Sequence, residues 1–234
     1  IVENFHKDGI KLLEDHPNFE YEIIDDVSKE NLIKELPKFD GLTLRVAKLG
    51  SDVLSKCKKL KVISRHGVGY DNVDINHLKK NNITLLITAT GNALAVAEHV
   101  MYMMLSLSKG VTLYDSEVRS GNFKKNANKI ETYELYKKEI LIAGFGRIGK
   151  NLIKRCLGFD MKVNVFDPFI DESTIKSYGG NKVANLQTAI KTSDFVSIHM
   201  PLNEKTRNLI DAKILRTMKS NAIILSLIHI SEPT

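Results

Sequence analysis

The chain has 234 residues, 43% of them hydrophobic and 26% charged, and these ordinary globular proportions exclude a disordered or fibrous protein. Its length suits one large domain or two of average size. The net charge of +6 comes from lysines dispersed along the chain, so we expect no nucleic-acid partner. Its most apolar stretch, residues 100–107, is much shorter than a bilayer span of about 20 residues, so we expect no membrane partner.

Cys57 and Cys156 stand alone, without the spacing of a metal or redox motif. Isolated thiols are typical of a reducing compartment, so the sequence predicts a cytoplasmic protein with inert cysteines and no metal site. The chain begins at Ile1 rather than at a methionine, and residues 1–4 resemble the end of a strand that starts earlier.

Strand-like and helix-like patterns alternate in the first part of the chain. Strands are predicted at residues 19–23, 42–44, 61–64 and 83–88, and helices at 28–36, 52–60 and 73–80. Strands separated by helices indicate a parallel sheet covered on both faces. Residues 93–109 form a predicted helix that is apolar nearly all round, which predicts burial on all sides. We place a domain boundary at its start.

A polar, charged and irregular segment at residues 114–138 precedes a second alternating block. The strands of this block are predicted at residues 139–143, 162–166, 182–183, 194–198 and 222–225. The chain is therefore predicted to be an α/β protein with two doubly wound parallel-sheet domains.

The block GFGRIG at residues 144–149 lies between a predicted strand and a predicted helix. In such a turn Gly144 permits the tight change of direction, Gly146 lets a pyrophosphate reach the backbone, and Gly149 lets the helix pack closely on the sheet. The N–H groups and the positive dipole end of the helix N-terminus favour phosphates. This order of elements favours a dinucleotide site over a structural glycine turn.

The second strand of this block ends at Asp167, 18 residues after Gly149. An acid about 20 residues beyond the glycines accepts hydrogen bonds from the adenosine ribose hydroxyls. Its negative charge would repel a 2′-phosphate, so the sequence predicts NAD rather than NADP as the cofactor.

Three stretches resemble the D-isomer-specific 2-hydroxyacid dehydrogenase family, and in particular its phosphoglycerate dehydrogenase branch. They are residues 64–74 (SRHGVGYDNVD), residues 91–99 (GNALAVAEH), and the glycine block together with 199–202 (HMPL) and 206–211 (TRNLID). The likeness covers nearly all of residues 1–224.

This resemblance implies a flavodoxin-like substrate domain at residues 1–92 and a Rossmann NAD-binding domain at residues 93–224. A 2-hydroxy or 2-oxo acid and NAD would meet between the domains, and a hydride would pass between them. The cofactor-binding residues that it implies are Gly144, Gly146, Arg147, Ile148, Gly149, Asp167, His199, Pro201, Thr206 and Val96.

The resemblance also implies a substrate site. Its residues are Arg45, Arg65, Gly67, Val68, Gly69 and Asn92. Backbone N–H groups of residues 67–69 would hold the substrate carboxylate. The two arginines match residues that bind an anionic substrate tail in the phosphoglycerate branch, and neither His66 nor His99 matches the catalytic histidine of the family.

After residue 224 the chain departs from the family. Residues 225–234 (LSLIHISEPT) resemble a translated sequencing adapter, and we interpret them as a non-native tail. The carboxylate-binding arginine of the family, whose place here is His229, and its acid–base glutamate and histidine lie at or beyond this point. The sequence therefore predicts no catalytic residue, an incomplete second domain, an inactive chain, and poor folding from an unpaired sheet edge.

Two alternatives stay open within the same fold. One is a formate- or phosphite-type dehydrogenase. Such an enzyme needs a smaller anion site, so the two arginines of the implied substrate site argue against it. The other is an NAD-sensing corepressor, since the fold alone does not decide function. For the full-length protein the resemblance implies a homodimer that uses the apolar helix and the segment after it.

Overall fold

The structure is a computed structural model that describes residues 1–88, 90–126, 131–201 and 203–226. Most of the predicted tail, residues 227–234 with His229, lies outside the described residues, and so does Leu202 of the HMPL stretch. The chain divides into two compact units, the first formed by Ile1–Gly91 and the second beginning at Asn92.

The first unit is built on a parallel sheet of β1 (Gly41–Leu44), β2 (Val62–Arg65) and β3 (Thr84–Ile87), in that spatial order. On the far side of β1, the N–H of Val2 donates to Thr43 O at 2.9 Å, and Val2 forms a parallel bridge with Ile24. With Val2 and Ile24 counted as strand positions one and two, the order is 2-1-3-4-5, which is flavodoxin-like. The helical segments are α1 (Lys7–Glu14), α2 (Lys29–Glu35), a 3-10 turn (Leu36–Lys38), α3 (Ser51–Leu54) and α4 (Ile75–Lys80).

Inward side chains of β1 and β2, among them Leu44 and Ile63, are fully buried and form the core of this unit. The predicted strand at residues 19–23 is wrong, because this segment contributes only the bridge at Ile24 and leaves Phe19 and Ile23 exposed. The helix predicted at 52–60 ends at Leu54, after which the chain continues as turns.

The second unit contains the strands β4 (Glu139–Ala143), β5 (Lys162–Phe166), β6 (Asn181–Lys182), β7 (Phe195–Ile198) and β8 (Ile223–Ser226). They form a parallel sheet in the order β6-β5-β4-β7-β8. Counted along the chain this order is 3-2-1-4-5, that of the first five Rossmann strands. The helices are α5 (Ala93–Ser108), α6 (Val111–Arg119), α7 (Phe123–Asn126), α8 (Arg147–Gly158), α9 (Glu172–Ser177), α10 (Leu186–Thr192) and α11 (Ala212–Leu215). The predicted class of two doubly wound parallel sheets is confirmed.

Two sequence predictions for the start of this unit are wrong. Helix α5 buries one face, including Val100 and Met104, against α8, while Leu94, Tyr102 and Leu107 stay exposed. The segment predicted to be irregular contains α6, whose polar residues form a solvated helix face, and the short helix α7. Burial of α5 on all sides would need a further partner for its second face.

Both cysteines are buried, and burial raises their pKa values, that of Cys156 to about 12. A buried neutral thiol is a poor nucleophile, as the sequence predicts. Within the described ranges, no helix has the length and apolarity needed to cross a membrane.

Candidate functional site

The glycine turn after β4 lies at the point where the order of the second sheet reverses, between the carboxyl ends of β4 and β7. Gly144 has φ +101°, and a Cβ there would lie 2.8 Å from the backbone of His199. A Cβ at Gly149 would lie 2.5 Å from the carbonyl oxygen of Gly144. Both positions therefore exclude a side chain, because backbone occupies its place.

Gly146 begins α8 as its N-cap residue and is solvent-exposed. A Cβ there would meet nothing within 4 Å among the described residues, so the space beside the helix N-terminus is open. The N–H groups in the first turn of a helix, here including that of Ile148, lie ahead of the carbonyls to which the later turns bond. With the helix dipole they can receive a phosphate.

The carboxylate of Asp167 is fixed by two backbone donors. Its Oδ2 accepts from the N–H of Phe145 at 2.8 Å, and its Oδ1 accepts from the N–H of Phe169 at 2.8 Å. Each oxygen keeps a further lone pair. The half-buried carboxylate is thus held beside the glycine turn with acceptor capacity left for hydroxyl groups.

His199 closes the other side of the turn. Its backbone N–H donates to Ala143 O at 2.7 Å, and its Nε2 lies 2.8 Å from Ser197 Oγ. Its Nδ1 is buried and has no partner among the described residues. Burial lowers the pKa of His199 to about 4, so the ring is neutral at physiological pH.

A tight loop follows His199. Thr206 Oγ1 donates to Pro201 O at 2.6 Å and accepts from the N–H of Asn203 at 2.8 Å. The hydroxyl therefore fixes the loop that carries Pro201, while Pro201 itself is exposed. Elsewhere in this unit, Val96 is half-buried in α5 and Asn92 is an exposed N-cap residue of the same helix.

In the first unit, the loop after β2 is tied to the end of β3. The N–H of Gly67 donates to Thr88 Oγ1 at 2.7 Å, and the N–H of Thr88 donates to Gly67 O at 3.1 Å. Gly67 has φ +146°, and a Cβ there would overlap the guanidinium of Arg65. The Gly67 amide is thus engaged within the protein, which differs from the ligand-binding role expected for it.

The next two amides of this loop are unpaired among the described residues. The N–H groups of Val68 and Gly69 have no acceptor within the described part of the chain. Both follow the Gly67–Thr88 link and lie beyond the carboxyl ends of parallel strands, where α/β sheets bind ligands. Adjacent unpaired amides of this kind suit an anion such as a carboxylate.

The two candidate arginines differ in their contacts. Arg65 donates from Nη1 to His66 O, and its buried Nε has no partner among the described residues. Arg45 is exposed, and its Nη1 donates to Asn4 O at 3.4 Å. Arg65 therefore packs onto its own loop, whereas Arg45 is exposed and makes a single long contact with the backbone of Asn4.

Sequence inspection missed Phe169, Thr88 and Glu3. The side chain of Phe169 is 87% exposed next to Asp167, and an exposed aromatic ring beside a nucleotide site can stack on a base. The signal for Phe169 was its place directly after the Asp167-Pro168 pair. Thr88 carries no local signal, because its role depends on the neighbouring strand.

The comparison with known families agrees with this geometry. A sequence model for the NAD-binding domain of D-isomer specific 2-hydroxyacid dehydrogenases matches residues 101–227. The chain belongs to this family. The predicted family and the predicted cofactor, NAD, are confirmed.

This member of the 2-hydroxyacid dehydrogenase family is similar to relatives that are named for different substrates. It is 32% identical over 227 residues to a D-3-phosphoglycerate dehydrogenase of Methanocaldococcus jannaschii, covering 97% of this chain and 43% of that protein. It is 35% identical over 201 residues to a hydroxypyruvate reductase of Thermotoga maritima, covering 86% of this chain and 64% of that protein. The chain thus spans less than two thirds of these relatives.

A solved structure of the family has the same fold. The D-lactate dehydrogenase of Aquifex aeolicus in complex with NAD and lactic acid matches with a TM-score of 0.83 and 29% identity, covering 96% of this chain and 67% of that one.

The described residues of this family member fit NAD. The open space at Gly146 leaves room for a pyrophosphate at the N-terminus of α8. The unpartnered Nδ1 of His199 offers a buried polar atom at the same switch point. Among the described residues, no group of three or more metal-binding side chains is present.

Proposed function

We propose that the full-length protein is an NAD-dependent dehydrogenase that interconverts a D-2-hydroxy acid and a 2-oxo acid. The observation that carries this proposal is the pair of amides at Val68 and Gly69 without an acceptor among the described residues, which can bind a carboxylate. Membership of the family supports the redox chemistry. The two features together favour a carboxylate-bearing substrate over a purely regulatory ligand, and the exposed Arg45 favours an acid larger than formate.

Each group of residues has a distinct task in this proposal. Gly144, Gly146 and the first turn of α8 hold the pyrophosphate, and Asp167 accepts hydrogen bonds from the ribose hydroxyls. Arg147, Ile148 and Gly149 belong to the same turn, while His199, Pro201 and Thr206 shape the opposite wall. When bound, NAD supplies the group that accepts or donates a hydride.

The loop after β2 and Arg45 bind the substrate in this proposal. The amides of Val68 and Gly69 orient the carboxylate, and Thr88 keeps the loop in the required conformation by holding Gly67. The resemblance to the family assigns Asn92 to substrate binding and Val96 to the nicotinamide. Arg65 supports the loop through His66 rather than by direct contact with substrate.

The substrate class we propose is a 2-hydroxy acid with an anionic tail, for which 3-phosphoglycerate is the first candidate. The exposed guanidinium of Arg45 supports this assignment, because a bidentate arginine contact suits phosphate. The phosphoglycerate relative named above is a second support. An acid–base residue is not assigned, so we propose that the chain of residues 1–234 is itself inactive.

We propose that the full-length protein forms a homodimer. In the second unit Leu113 and Val118 of α6 are 59% and 60% exposed, and Leu107 at the end of α5 is also exposed. Large apolar side chains exposed in this way commonly mark a protein interface.

The test of the proposed activity uses the complete product of the gene that encodes this chain. NADH oxidation is measured with 3-phosphohydroxypyruvate, hydroxypyruvate, glyoxylate and pyruvate, and the chain of residues 1–234 is assayed in parallel. We expect turnover by the complete product, with the highest kcat/KM for the phosphorylated acid. Absence of turnover with all four acids would refute the activity, and turnover by the short chain would refute its inactivity.

A further inference from the structure

The segment after β1, residues 45–47, is held on its N–H side by one distant side chain. Glu3 Oε2 accepts hydrogen bonds from the backbone N–H groups of Arg45 at 3.1 Å, Val46 at 2.7 Å and Ala47 at 3.0 Å. Successive N–H groups that converge in this way form a concavity of positive potential. The carboxylate oxygen of Glu3 fills that concavity.

A second side chain holds the carbonyl side of the same segment. Asn72 Nδ2 donates to Ala47 O at 2.8 Å and to Arg45 O at 3.4 Å. The Oδ1 of Asn72 is buried without a partner among the described residues. The opposite orientation of the amide would place an oxygen against two carbonyl oxygens, so these contacts determine how Asn72 is oriented.

Apolar packing contributes little to the conformation of this segment. Val46 is 71% exposed and Arg45 is exposed, so only Ala47 is buried. Glu3 has φ +69°, a strained value for a residue with a side chain. Such strain persists where the surroundings determine the conformation and is found at functional sites. Here the surroundings are the three amides and the bond from the Glu3 N–H to Ile24 O at 3.0 Å.

The location of this arrangement connects it to ligand binding. Val2 and β1 are the strands between which the order of the first sheet reverses. Ligands of open α/β sheets bind at the carboxyl ends of the strands at this point. Glu3 directly follows Val2, and Arg45 directly follows β1, so both lie at that position.

We propose that Glu3 and Asn72 are positioning residues that hold residues 45–47 so that the Arg45 guanidinium meets the anionic tail of the substrate. This inference rests on the proposed function, because it takes an acid with a phosphate tail as the ligand. Asn72 also accepts the N–H of Leu49 through its own backbone carbonyl at 2.8 Å. It therefore links the arginine segment to the stretch that carries Val68 and Gly69.

The first experiment measures amide hydrogen exchange of residues 45–47 in the complete gene product. Glu3→Ala is compared with Glu3→Gln, which retains one acceptor oxygen, and with Glu20→Ala as an exposed control. We expect exchange at residues 45–47 to accelerate at least about tenfold in Glu3→Ala, less in Glu3→Gln, and not in the control. Unchanged protection in Glu3→Ala overturns the proposal, and if that variant does not fold, unchanged protection in Glu3→Gln does so.

The second experiment separates positioning from a merely structural role. In Glu3→Gln we expect KM for 3-phosphohydroxypyruvate to rise about fivefold, with kcat and the KM for NADH unchanged. KM for glyoxylate, which has no anionic tail, should not change. The double variant with Arg45→Met should bind the phosphorylated acid no worse than Arg45→Met alone, since the two residues act through one contact. An equal rise for both acids, or additive effects, overturns the proposal.

A third measurement distinguishes failure of this inference from failure of the proposed function. If the wild-type protein turns over none of the acids, inorganic phosphate serves as the probe in an amide NMR titration. Phosphate-dependent shifts at residues 45–47 that weaken in Glu3→Gln support the positioning role without the dehydrogenase activity. Absence of such shifts in the wild type overturns the positioning role as well.

Discussion

At the scale of single residues, the carboxylate of Asp167 accepts hydrogen bonds from the backbone and also keeps acceptor capacity for a ligand. Backbone N–H groups of Phe145 and Phe169 hold its two oxygens, which keeps the charge at a constant place beside the glycine turn. The remaining lone pairs can accept hydrogen bonds from ribose, and a 2′-phosphate would meet a fixed negative charge.

We predict that Asp167→Asn weakens NADH binding about tenfold, because a hydrogen bond to a charged group is worth about 1.5–3 kcal/mol. The variant should also reduce the preference for NADH over NADPH, because the negative charge that would repel a 2′-phosphate is removed. Fluorescence titration of both dinucleotides measures the effect. The exposed Asp25→Asn serves as the control. An unchanged ratio of the two dissociation constants would contradict the assigned role of Asp167.

His199 makes the stability of the second unit depend on pH. Its pKa is lowered by burial to about 4 in the folded protein, below the ordinary value of about 6.5 in the unfolded chain. Between these values the unfolded state binds more protons, so the free energy of unfolding rises with pH across this window and falls as pH drops toward 4. The full contribution is present above pH of about 6.5.

In the wild type, the free energy of unfolding should rise between pH 4 and 7 by up to about 3 kcal/mol because of His199, since a shift of one pKa unit corresponds to about 1.4 kcal/mol. We predict that His199→Gln loses this part of the pH dependence. Urea unfolding at pH 4.5, 5.5 and 7.5 compares the variant with wild type, which cancels the titration of the carboxylates. The exposed His99→Gln should keep the wild-type pH dependence. A parallel pH dependence in His199→Gln and wild type would show that this ring is not responsible.

At the scale of elements, the packing of α8 on its sheet depends on one glycine at its beginning and is indifferent to another at its end. A Cβ at Gly149 would lie 2.5 Å from Gly144 O, whereas a Cβ at Gly158 would meet nothing within 4 Å among the described residues. The two positions therefore form a matched pair within one helix.

We predict that Gly149→Ala costs about 1–3 kcal/mol of unfolding free energy, because the helix must move away from the turn. The same shift should weaken NADH binding. Gly158→Ala should instead stabilise by roughly 0.4–1 kcal/mol, since alanine loses less backbone freedom on folding. Urea denaturation and NADH titration of both variants measure the pair, and equal stability of the two variants would refute this account.

The elements that could be predicted from sequence are those whose signal is local. The strands β4 and β5 were predicted with correct bounds, because continuous apolar runs and the glycine turn specify them. The prediction of a strand at 19–23 is wrong, because an alternating pattern forms a strand only where its apolar side chains are buried against the rest of the protein. The helix predicted at 52–60 is too long, since only α3 forms there. Helix α6 was missed because a helix without a buried residue carries no apolar period that marks it.

At the scale of the whole molecule, the exposed apolar side chains of α5 and α6 are the surface through which we propose that two copies associate. They include Leu107, Leu113 and Val118. The unpaired margin of β8, whose pairing partner among the described residues is β7 alone, is a separate feature. It keeps open the prediction that the short chain folds poorly.

We predict that the double variant Leu113→Lys and Val118→Lys converts a dimeric complete gene product into monomers, because buried lysines without partners are unfavourable in an interface. Sedimentation equilibrium measures the mass. Leu12→Lys, which changes an exposed leucine of α1 in the first unit, should remain dimeric. A dimer that survives the double variant would place the interface elsewhere.

The sequence by itself determined the order of most strands and helices, the glycine turn for NAD and the family, because these depend on neighbours along the chain. The tertiary structure alone decided which distant groups meet: Thr88 with Gly67, His199 with Gly144, and Glu3 with the amides of residues 45–47. Such contacts follow from the order and register of the strands. That order depends on long-range pairing within each sheet, which no local pattern encodes.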